Sequence, residues 1–423
     1  MSRHKSITLK EKAIVLENFF SLSTLQGISY ILPLIVLPYL VRVIGPEKFG
    51  LIAFAQALIQ YFMILTDYGF SLSATRKISL CRDHKDKVST VFSSVMTVKI
   101  MLAGASFVVL LGLLYFVPKF KDNWILYVLS FGAVIGNTLF PIWFFQGQEK
   151  MRYISDINII GGIIYAASIF IFVKHPSDYL LVPLFNSLFF LICGIIGLFI
   201  AFKKFDLEFV IQTYSDIKTE LKTGWDIFVS IISINAYTTT RVFAVGLLTN
   251  NTLTGYYSIA ERIANAFQSF PLDSFSQAIY PRLSHIFSKN KKRALKLMDQ
   301  IQNSTTFAFL IIIPIAILIS PFIVRVVCGI KYPEVIFCLR ILLVGVFFVG
   351  INAFRVQYLL VCGNPDIYSK LHIVTAIIGL PLIFLLILFY SYLGAALSTV
   401  VLEAGIFILT VKIVADLTKK YSG

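Results

Sequence analysis

The stretch TDYGFSLSATRKISLCRDHKD, residues 66–86, ends a long apolar run with an aspartate, several hydroxyl side chains and a group of basic residues. Such a transition is typical of a helix that leaves the lipid on the cytoplasmic side of a membrane. A weaker copy, PLDSFSQAIYPRLSHIFSKNK, begins at Pro271, 205 residues after Thr66. The same transition therefore occurs once in each half of the chain.

The composition indicates a protein that crosses a membrane many times. Of the 423 residues, 57% are hydrophobic and only 14% are charged, and the mean hydropathy is +0.83. A soluble protein of this length needs a charged surface that this composition cannot supply. We therefore predict an all-α polytopic membrane protein.

Apolar windows bounded by charged residues, proline or glycine predict about twelve transmembrane helices. Each window is close to the ~17–25 residues that a membrane-spanning helix needs. The predicted spans are 19–44, 49–72, 88–117, 124–145, 153–173, 179–202, 222–248, 255–280, 303–328, 335–361, 367–391 and 393–416. Because the number is even, both termini are expected on the same side.

The basic residues predict which side that is. One alternating set of connections carries 24 of the 37 lysines and arginines, whereas the opposite set carries five. Cytoplasmic connections are the ones enriched in these residues, so both termini are predicted to be cytoplasmic. The net charge of +15 is then explained by topology and by contact with anionic membrane lipids, and not by binding to nucleic acid.

The two halves are predicted to be a parallel repeat. At a constant offset of 205 residues, 45–79 aligns with 250–284 without a gap, and Gln56 and Gln60 match Glu261 and Asn265 in register. Compositional bias in membrane helices is the alternative explanation. A duplication predicts two pseudo-symmetric six-helix lobes around a central cavity, a known transporter arrangement. The N-terminal lobe would be residues 1–205, with an interfacial N-terminal segment, and the C-terminal lobe residues 206–423.

Four basic residues lie too deep in predicted spans for their side chains to reach the membrane surface easily. A charge at the centre of a membrane costs about 2.5–3.5 kcal/mol, so these residues should face protein or water. An excess of arginine favours an anionic substrate, since guanidinium groups match phosphate oxygens. For Arg241, the alternative is a structural ion pair with Glu261. The candidate substrate-binding cations are Lys99, Arg241, Arg262 and Arg355.

The deep acidic residues are candidates for ion coupling. The sequence contains no nucleotide-binding loop, hydrolase motif or metal-ligand spacing, so we predict neither enzymatic activity nor a bound cofactor or metal. Energy must then come from a gradient, and acids within spans can carry H⁺ or Na⁺. Pairing at helix ends is the alternative for Asp67 and Asp273. The candidate coupling acids are Asp67, Glu261, Asp273 and Glu403.

Three segments of the first half resemble signature segments of Wzx-type O-antigen flippases. They are PLIVLPYLVRVIGPEKFGLIAFAQ (33–56), TDYGFSLSATRKIS (66–79) and FPIWFFQGQEKM (140–151). That family is the polysaccharide transporter branch of the multidrug/oligosaccharidyl-lipid/polysaccharide exporter superfamily. The resemblance implies two six-helix lobes around a cationic cavity. It also implies transfer of undecaprenyl-diphosphate-linked oligosaccharides from the cytoplasmic to the periplasmic leaflet of the bacterial inner membrane.

The resemblance extends to expected partners and leaves two other functions to consider. Besides the lipid-linked oligosaccharide and membrane lipids, the polysaccharide polymerase and chain-length machinery are candidate partners. An ion-coupled multidrug exporter of the same superfamily is the main alternative function. A membrane-embedded polymerase or transferase would require a large outer loop with catalytic residues, and every predicted outer loop is short.

Overall fold

The computed structural model describes residues 9–289, 291–361 and 365–422, and every regular element within these ranges is helical. Apolar chain in a bilayer folds this way because a helix satisfies its own backbone hydrogen bonds. The helices are α1 (Leu9–Asp67), α2 (Phe70–Cys81), α3 (Lys85–Phe116), α4 (Pro118–Lys121), α5 (Trp124–Leu139), α6 (Ile142–Gly147), α7 (Met151–Phe172), α8 (Leu181–Phe205), α9 (Tyr214–Thr238), α10 (Thr240–Leu248), α11 (Asn251–Lys289), α12 (Lys291–Cys328), α13 (Pro333–Val361), α14 (Pro365–Tyr390) and α15 (Tyr392–Ser422). A 3₁₀ helix, Pro176–Leu180, precedes α8.

Helix α1 contains the first two predicted spans, and Gly45 separates them. Gly45 has φ 75° and ψ 167°, a conformation that suits glycine and strains other residues. Pro46 follows and has no backbone N–H with which to continue the helical hydrogen bonding. The predicted connection between the two spans is therefore a glycine break within one long element.

Residues 66–86 contain a second break and an additional helix. Tyr68 and Gly69 both have positive φ, 42° and 77°, and they separate α1 from α2. Along α2, Phe70, Ala74 and Ile78 recur every four residues and are fully buried. Where the sequence predicts a cytoplasmic connection after residue 72, the structure has an amphipathic helix, because one face of this polar segment packs in the core.

The predicted span 124–145 is divided between α5 and α6. The break falls at Phe140 and Pro141, since proline cannot donate the hydrogen bond that would continue α5. On the far side of the break, Phe144 and Phe145 are completely buried. Part of the third signature segment thus serves to anchor a short helix in the core.

Within the described ranges, nine helices are long and apolar enough to cross a membrane, or ten if the bent pair α9 and α10 forms one span. The pair bends by 49°. Helix α11 contains the eighth predicted span and is less hydrophobic than these helices. Glu261 and Arg262 lie next to each other in its apolar stretch. Each of the twelve predicted spans nevertheless falls on helix, and the predicted all-α, multi-span class is confirmed.

The chain forms two compact units. The N-terminal unit contains residues up to Val36 together with Leu58–Ile232, and the C-terminal unit contains Leu37–Ala57 together with the chain from Ser233 onward. These units are defined by packing, whereas the predicted division at residue 205 is defined by sequence register. That division stays a prediction.

Aromatic side chains form much of the core of the N-terminal unit. The ring of Phe92 in α3 lies 5.5 Å from that of Trp143, 5.4 Å from that of Phe144 and 5.5 Å from that of Phe202. The rings of Phe144 and Phe202 meet that of Phe92 edge to face, an arrangement that stabilises a core beyond the burial of its area. This cluster fixes α6 and α8 against α3.

Residues 206–213 connect α8 to α9 in a non-helical conformation and are held by serines of α3. The hydroxyl oxygen of Ser89 accepts a hydrogen bond from the N–H of Glu208 at 3.2 Å, and that of Ser93 accepts one from Val210 at 2.9 Å. These hydroxyls satisfy backbone donors that have no helical partner. The connection is therefore bound along its length to the N-terminal unit.

Close contact between backbones joins α1 to α11 in the C-terminal unit. A Cβ atom on Gly255 would lie 2.0 Å from the carbonyl oxygen of Pro46, and one on Gly50 would lie 1.9 Å from that of Asn251. Small residues at such crossings let membrane helices approach closely. This crossing brings the second predicted span next to Arg262 on α11.

Replacing Gly255 by alanine is expected to lower the thermal unfolding temperature of the purified protein. The added methyl group would overlap Pro46, and overpacking of this kind typically costs about 1–3 kcal/mol. Gly405→Ala in α15 is the matched control, because no heavy atom lies within 4 Å of a Cβ at that position. If the two variants unfold at the same temperature, the crossing is not a tight contact.

Candidate functional site

Arg241 is positioned by the break between α9 and α10. Three consecutive threonines, residues 238–240, occupy this break, and β-branched residues favour helix less than straight-chain ones do. The Nε of Arg241 donates to the carbonyl oxygen of Tyr237 at 3.0 Å, and its guanidinium also donates to the hydroxyl of Thr399 in α15. Only 8% of Arg241 is exposed, so these contacts fix a charged group inside the C-terminal unit.

Two carboxylates lie within electrostatic range of this guanidinium. They are Glu261 of α11 and Glu403 of α15, and Glu261 also accepts a hydrogen bond from the hydroxyl of Tyr257 at 3.0 Å. Together with Arg241 they line a cavity of about 270 Å³, here called the Arg241 cavity. Its other polar lining residues are Thr238, Asn265, Gln268, Ser269 and Thr399. One buried cation thus faces two acids in a polar chamber.

A second cavity in the same unit, of about 330 Å³, contains Arg262 and is here called the Arg262 cavity. The guanidinium of Arg262 donates to the side-chain oxygen of Gln56 at 2.7 Å and lies 5.1 Å from the centre of the Phe49 ring. The Ser258 hydroxyl, which also lines this cavity, is buried and has no hydrogen-bond partner among the described residues. A buried donor without a partner is costly and suits a site that takes up a polar ligand.

The two cavities share three lining residues, Thr238, Glu261 and Asn265. Glu261 and Asn265 are four residues apart and therefore lie on one face of α11, as their spacing predicts. Because Glu261 lines both chambers, a change of charge in either one acts on the same carboxylate. The structure therefore brings together Arg241, Arg262, Glu261 and Glu403, four of the predicted site residues.

Arg355 lies elsewhere in the C-terminal unit and outside the described lining of both cavities. Its guanidinium donates to the carbonyl oxygen of Ile351 and lies 5.3 Å from the centre of the Phe407 ring. Asp299 of α12 is within electrostatic range. These contacts account for the membrane position of Arg355 without a substrate.

Lys99 and Asp67 form an ion pair in the N-terminal unit. The Lys99 Nζ lies 2.9 Å from Oδ1 of Asp67, and the side-chain amide of Asn137 donates to the same oxygen at 3.2 Å. Lys99 is 2% exposed, whereas the Asp67 side chain is 47% exposed. This arrangement favours a structural pair as the explanation for both residues. The side chain of Asp273 lies outside the described residues.

Sequence reasoning did not identify several contacts of the site. The repeat register predicts that Gln56 and Glu261 occupy equivalent positions, and it does not show that Gln56 accepts a hydrogen bond from Arg262, the residue after Glu261. Thr399 is visible in the sequence only as a polar residue in an apolar helix, and nothing there indicates its contact with Arg241. The hydrogen bond of 2.8 Å between Tyr237 and His372 is likewise not indicated by the sequence. Partners separated by more than 100 residues depend on how helices pack, which spacing along one helix does not show.

The helical fold is similar to the folds of two solved structures. The structure of the lipid II flippase MurJ in an inward closed conformation has a TM-score of 0.73 and 16% identity, and the match covers 95% of this chain and 87% of that chain. The inward-facing structure of a multidrug resistance MATE family transporter gives 0.69 and 14%, over 92% of this chain and 96% of that chain. At such identities these likenesses show the fold alone.

Sequence similarity defines the family. The family model described as "Polysaccharide biosynthesis protein" matches residues 15–287. A protein of Escherichia coli (strain K12) named as an O-antigen transporter is 31% identical over 390 residues, which cover 91% of this chain and 93% of that protein. One from Shigella dysenteriae with the same name is 25% identical over 403 residues, 94% of this chain and 99% of that protein. The chain belongs to the polysaccharide biosynthesis protein family, and the resemblance to O-antigen flippases is confirmed.

Proposed function

We propose that the protein is a flippase that moves undecaprenyl-diphosphate-linked O-antigen oligosaccharide units across the membrane. Transfer would run from the cytoplasmic to the periplasmic leaflet of the bacterial inner membrane by alternating access, with both termini in the cytoplasm. The observation that carries this proposal is the 31% identity to a protein named as an O-antigen transporter over nearly the whole of both chains. The protein is accordingly a transporter and not an enzyme.

The Arg262 cavity supports an anionic substrate. A guanidinium group can form two parallel hydrogen bonds to phosphate oxygens, and such charge-assisted bonds are stronger than neutral ones. Arg262, Gln56 and Ser258 contribute hydrogen-bond donors to the lining of the chamber. We assign Arg262 to the diphosphate of the substrate, while the sugars occupy water-filled space and the polyprenyl chain stays in lipid.

The Arg241 cavity supports coupling to an ion gradient. Glu261 and Glu403 face Arg241 there, and Glu261 also lines the Arg262 cavity. Uptake of H⁺ or Na⁺ by these carboxylates would change the field around Arg262 and hence its affinity for an anion. We propose Glu261 as the residue that links ion uptake to the binding of an anion at Arg262.

The polysaccharide polymerase and chain-length machinery are proposed partners on the periplasmic side.

Removing the positive charge of Arg262 tests the assignment. The Arg262→Gln variant is expressed in a strain from which the native gene is deleted. It is expected to lower the rate at which lipid-linked sugar reaches the periplasm by roughly 10- to 100-fold, because a hydrogen bond to a charged group is lost. Arg262→Lys should keep part of the rate, since lysine retains the charge without the fork. Arg340→Gln is the control, because Arg340 donates to Ser320 at 2.9 Å and lies outside the described lining of both cavities.

The measurement is surface polysaccharide on gels together with the lipid-linked sugar that accumulates in the inner leaflet. Normal surface polysaccharide in Arg262→Gln would remove Arg262 from the substrate site. Normal polysaccharide in the deletion strain, with greater sensitivity to drugs, would instead favour the multidrug exporter, which the likeness to a MATE structure keeps as the alternative.

A further inference from the structure

His372 of α14 and Tyr237 of α9 form a hydrogen-bonded pair in the C-terminal unit. The Tyr237 hydroxyl lies 2.8 Å from Nδ1 of His372. Tyr237 is 4% exposed, and a Cβ atom on Gly379, two turns further along α14, would lie 3.4 Å from the Cβ of Tyr237. Tyr368 also packs against the imidazole, with the two ring centres 4.4 Å apart. The imidazole and the phenol are therefore held in fixed positions.

The second nitrogen of the imidazole has no structural role. The Nε2 atom of His372 is buried and has no hydrogen-bond partner among the described residues. A buried polar atom without a partner is uncommon in folded proteins and calls for an explanation. Histidine is the side chain whose charge ordinarily changes between about pH 5 and 8. Because Nε2 makes no contact, it can gain or lose a proton without breaking a hydrogen bond.

The charge of His372 decides the direction of its hydrogen bond with Tyr237. In a neutral imidazole with its hydrogen on Nε2, the Tyr237 hydroxyl donates to Nδ1. An imidazolium carries a hydrogen on both nitrogens, so Nδ1 then donates and the Tyr237 oxygen accepts. The hydroxyl hydrogen of Tyr237 must then point to another acceptor. Glu403 of α15 lies within electrostatic range of this hydroxyl and lines the Arg241 cavity.

The same tyrosine positions Arg241. The carbonyl oxygen of Tyr237 accepts a hydrogen bond from the Arg241 Nε at 3.0 Å, and Thr238, the next residue, lines both cavities. Arg241, like Glu403, lies within electrostatic range of the Tyr237 hydroxyl. A proton on His372 therefore adds a positive charge beside the residue that holds Arg241. An additional positive charge favours the binding of an anion nearby.

The charged and titratable groups that face the pair come from four helices. They are Tyr237 of α9, Arg241 of α10, Tyr368 of α14 and Glu403 of α15. Helix α13 also packs against α14, and the described contacts of its charged residues do not include the pair: Glu334, Arg340 and Arg355. The charged residues near the ends of α14 and α15 are exposed: Asp366, Lys370, Lys412 and Asp416. Arg241 and Glu403 are thus the charges on which protonation of His372 acts.

We propose that His372 is the pH-responsive positioning residue of the Arg241 cavity and that H⁺ is the ion to which this cavity responds. The proposal rests on the flippase function proposed above and deepens it by choosing between H⁺ and Na⁺. An imidazole nitrogen accepts a proton and is not an oxygen ligand of the kind that hard cations require. Protonation of His372 acts through Tyr237 on Arg241 and raises the affinity of the neighbouring Arg262 cavity for the diphosphate.

Nitrogen NMR of the full-length protein in nanodiscs tests the link without any transport. The histidine and arginine side chains carry ¹⁵N, and the signals lost in His372→Asn and in Arg241→Lys identify the two residues. Between about pH 5 and 8, the His372 signals are expected to shift as the imidazole is titrated, and the Arg241 Nε signal should shift with the same midpoint. Tyr237→Phe keeps the ring and removes the hydroxyl, so it should reduce the Arg241 shift.

Three NMR results would overturn the proposal. They are a His372 signal that does not titrate in this range, an Arg241 signal that stays constant while His372 titrates, and an Arg241 shift that is undiminished in Tyr237→Phe. Thermal unfolding of each variant verifies that a lost signal is not a loss of folding.

The transport rate in proteoliposomes tests the consequence. The substrate is the lipid-linked sugar that accumulates in the deletion strain, extracted and used below saturation, with equal pH on both sides. Wild-type protein is expected to transport faster at about pH 5.5 than at about pH 8, by roughly 5- to 50-fold, a usual size of coupling between two sites. His372→Asn keeps a hydrogen-bonding group near Nδ1 but does not titrate, so its rate should be nearly equal at both pH values. His84→Asn, at an exposed histidine before α3, is the control and should keep the wild-type profile.

The outcomes distinguish failure of this proposal from failure of the flippase function. A wild-type pH profile in His372→Asn would overturn the proposal and leave the flippase function intact. A rate lowered by the same factor at every pH would do so too, because a purely structural histidine has that effect. A wild-type rate that depends on Na⁺ when K⁺ replaces it would overturn the choice of H⁺. Wild-type protein that moves no lipid-linked sugar at any pH would overturn the flippase function itself, while the NMR titration still decides whether His372 acts on Arg241.

Discussion

Arg241→Gln is expected to abolish delivery of polysaccharide to the cell surface and to lower the amount of folded protein in the membrane. Arg241 is 8% exposed and faces Glu261 and Glu403, so its loss leaves two acids around a cavity without their cation. Removing one member of a buried charge cluster typically costs about 3–5 kcal/mol. Immunoblots of membranes and gels of surface polysaccharide measure the two effects.

A double variant separates stability from transport. Arg241→Gln with Glu403→Gln removes one charge of each sign, which returns the net charge of the Arg241 cavity to its original value. We expect the double variant to recover its level in the membrane while transport stays absent, because Glu261 then lacks the cation that it faces in the wild-type cavity. A double variant that transports at the wild-type rate would show that Arg241 is a structural counter-ion and has no part in transport.

Asp67→Asn is expected to have the second large effect, a strong loss of stability in the N-terminal unit. The Asp67 carboxylate is the ion-pair partner of Lys99, which is 2% exposed and lies 2.9 Å away. The asparagine amide and the Asn137 carbonyl at 3.4 Å are neutral acceptors, so the buried lysine has no counter-ion, and the expected cost is again about 3–5 kcal/mol. Thermal unfolding of the purified variant measures it.

Lys99→Met in addition to Asp67→Asn should restore most of the lost stability, since a neutral site no longer contains an unpaired charge. Replacing a buried ion pair by groups of similar volume is often neutral or stabilising. We also expect the double variant to transport, because the pair is structural. A stable double variant without transport would make Asp67 a coupling acid.

The helical, multi-span nature of the chain could be predicted because it depends on local hydrophobicity. Each predicted span falls on helix, but their boundaries shift where a single residue intervenes. Gly45 leaves two spans within one element, and Pro141 divides one span into two helices. Helix α2 was missed because its segment is polar on average, and only its periodic buried residues reveal it.

The candidate site was partly predictable for a different reason. Membrane depth identifies Arg241, Arg262 and Glu261 as charges that need an explanation, and these three residues line two cavities that share part of their lining. Depth cannot distinguish them from Lys99 or Arg355, which lie outside the described lining of both cavities. That distinction depends on packing between distant segments, which a single sequence does not contain.

The C-terminal unit includes Leu37–Ala57, a segment that the chain makes before most of the N-terminal unit. A gene divided at codon 205 would therefore produce a C-terminal fragment that lacks Pro46 and Gly50. The part of α11 around Gly255 that packs against these two residues would then be uncovered. This intertwining makes the protein resistant to fission into independent halves, even if its two halves arose by duplication.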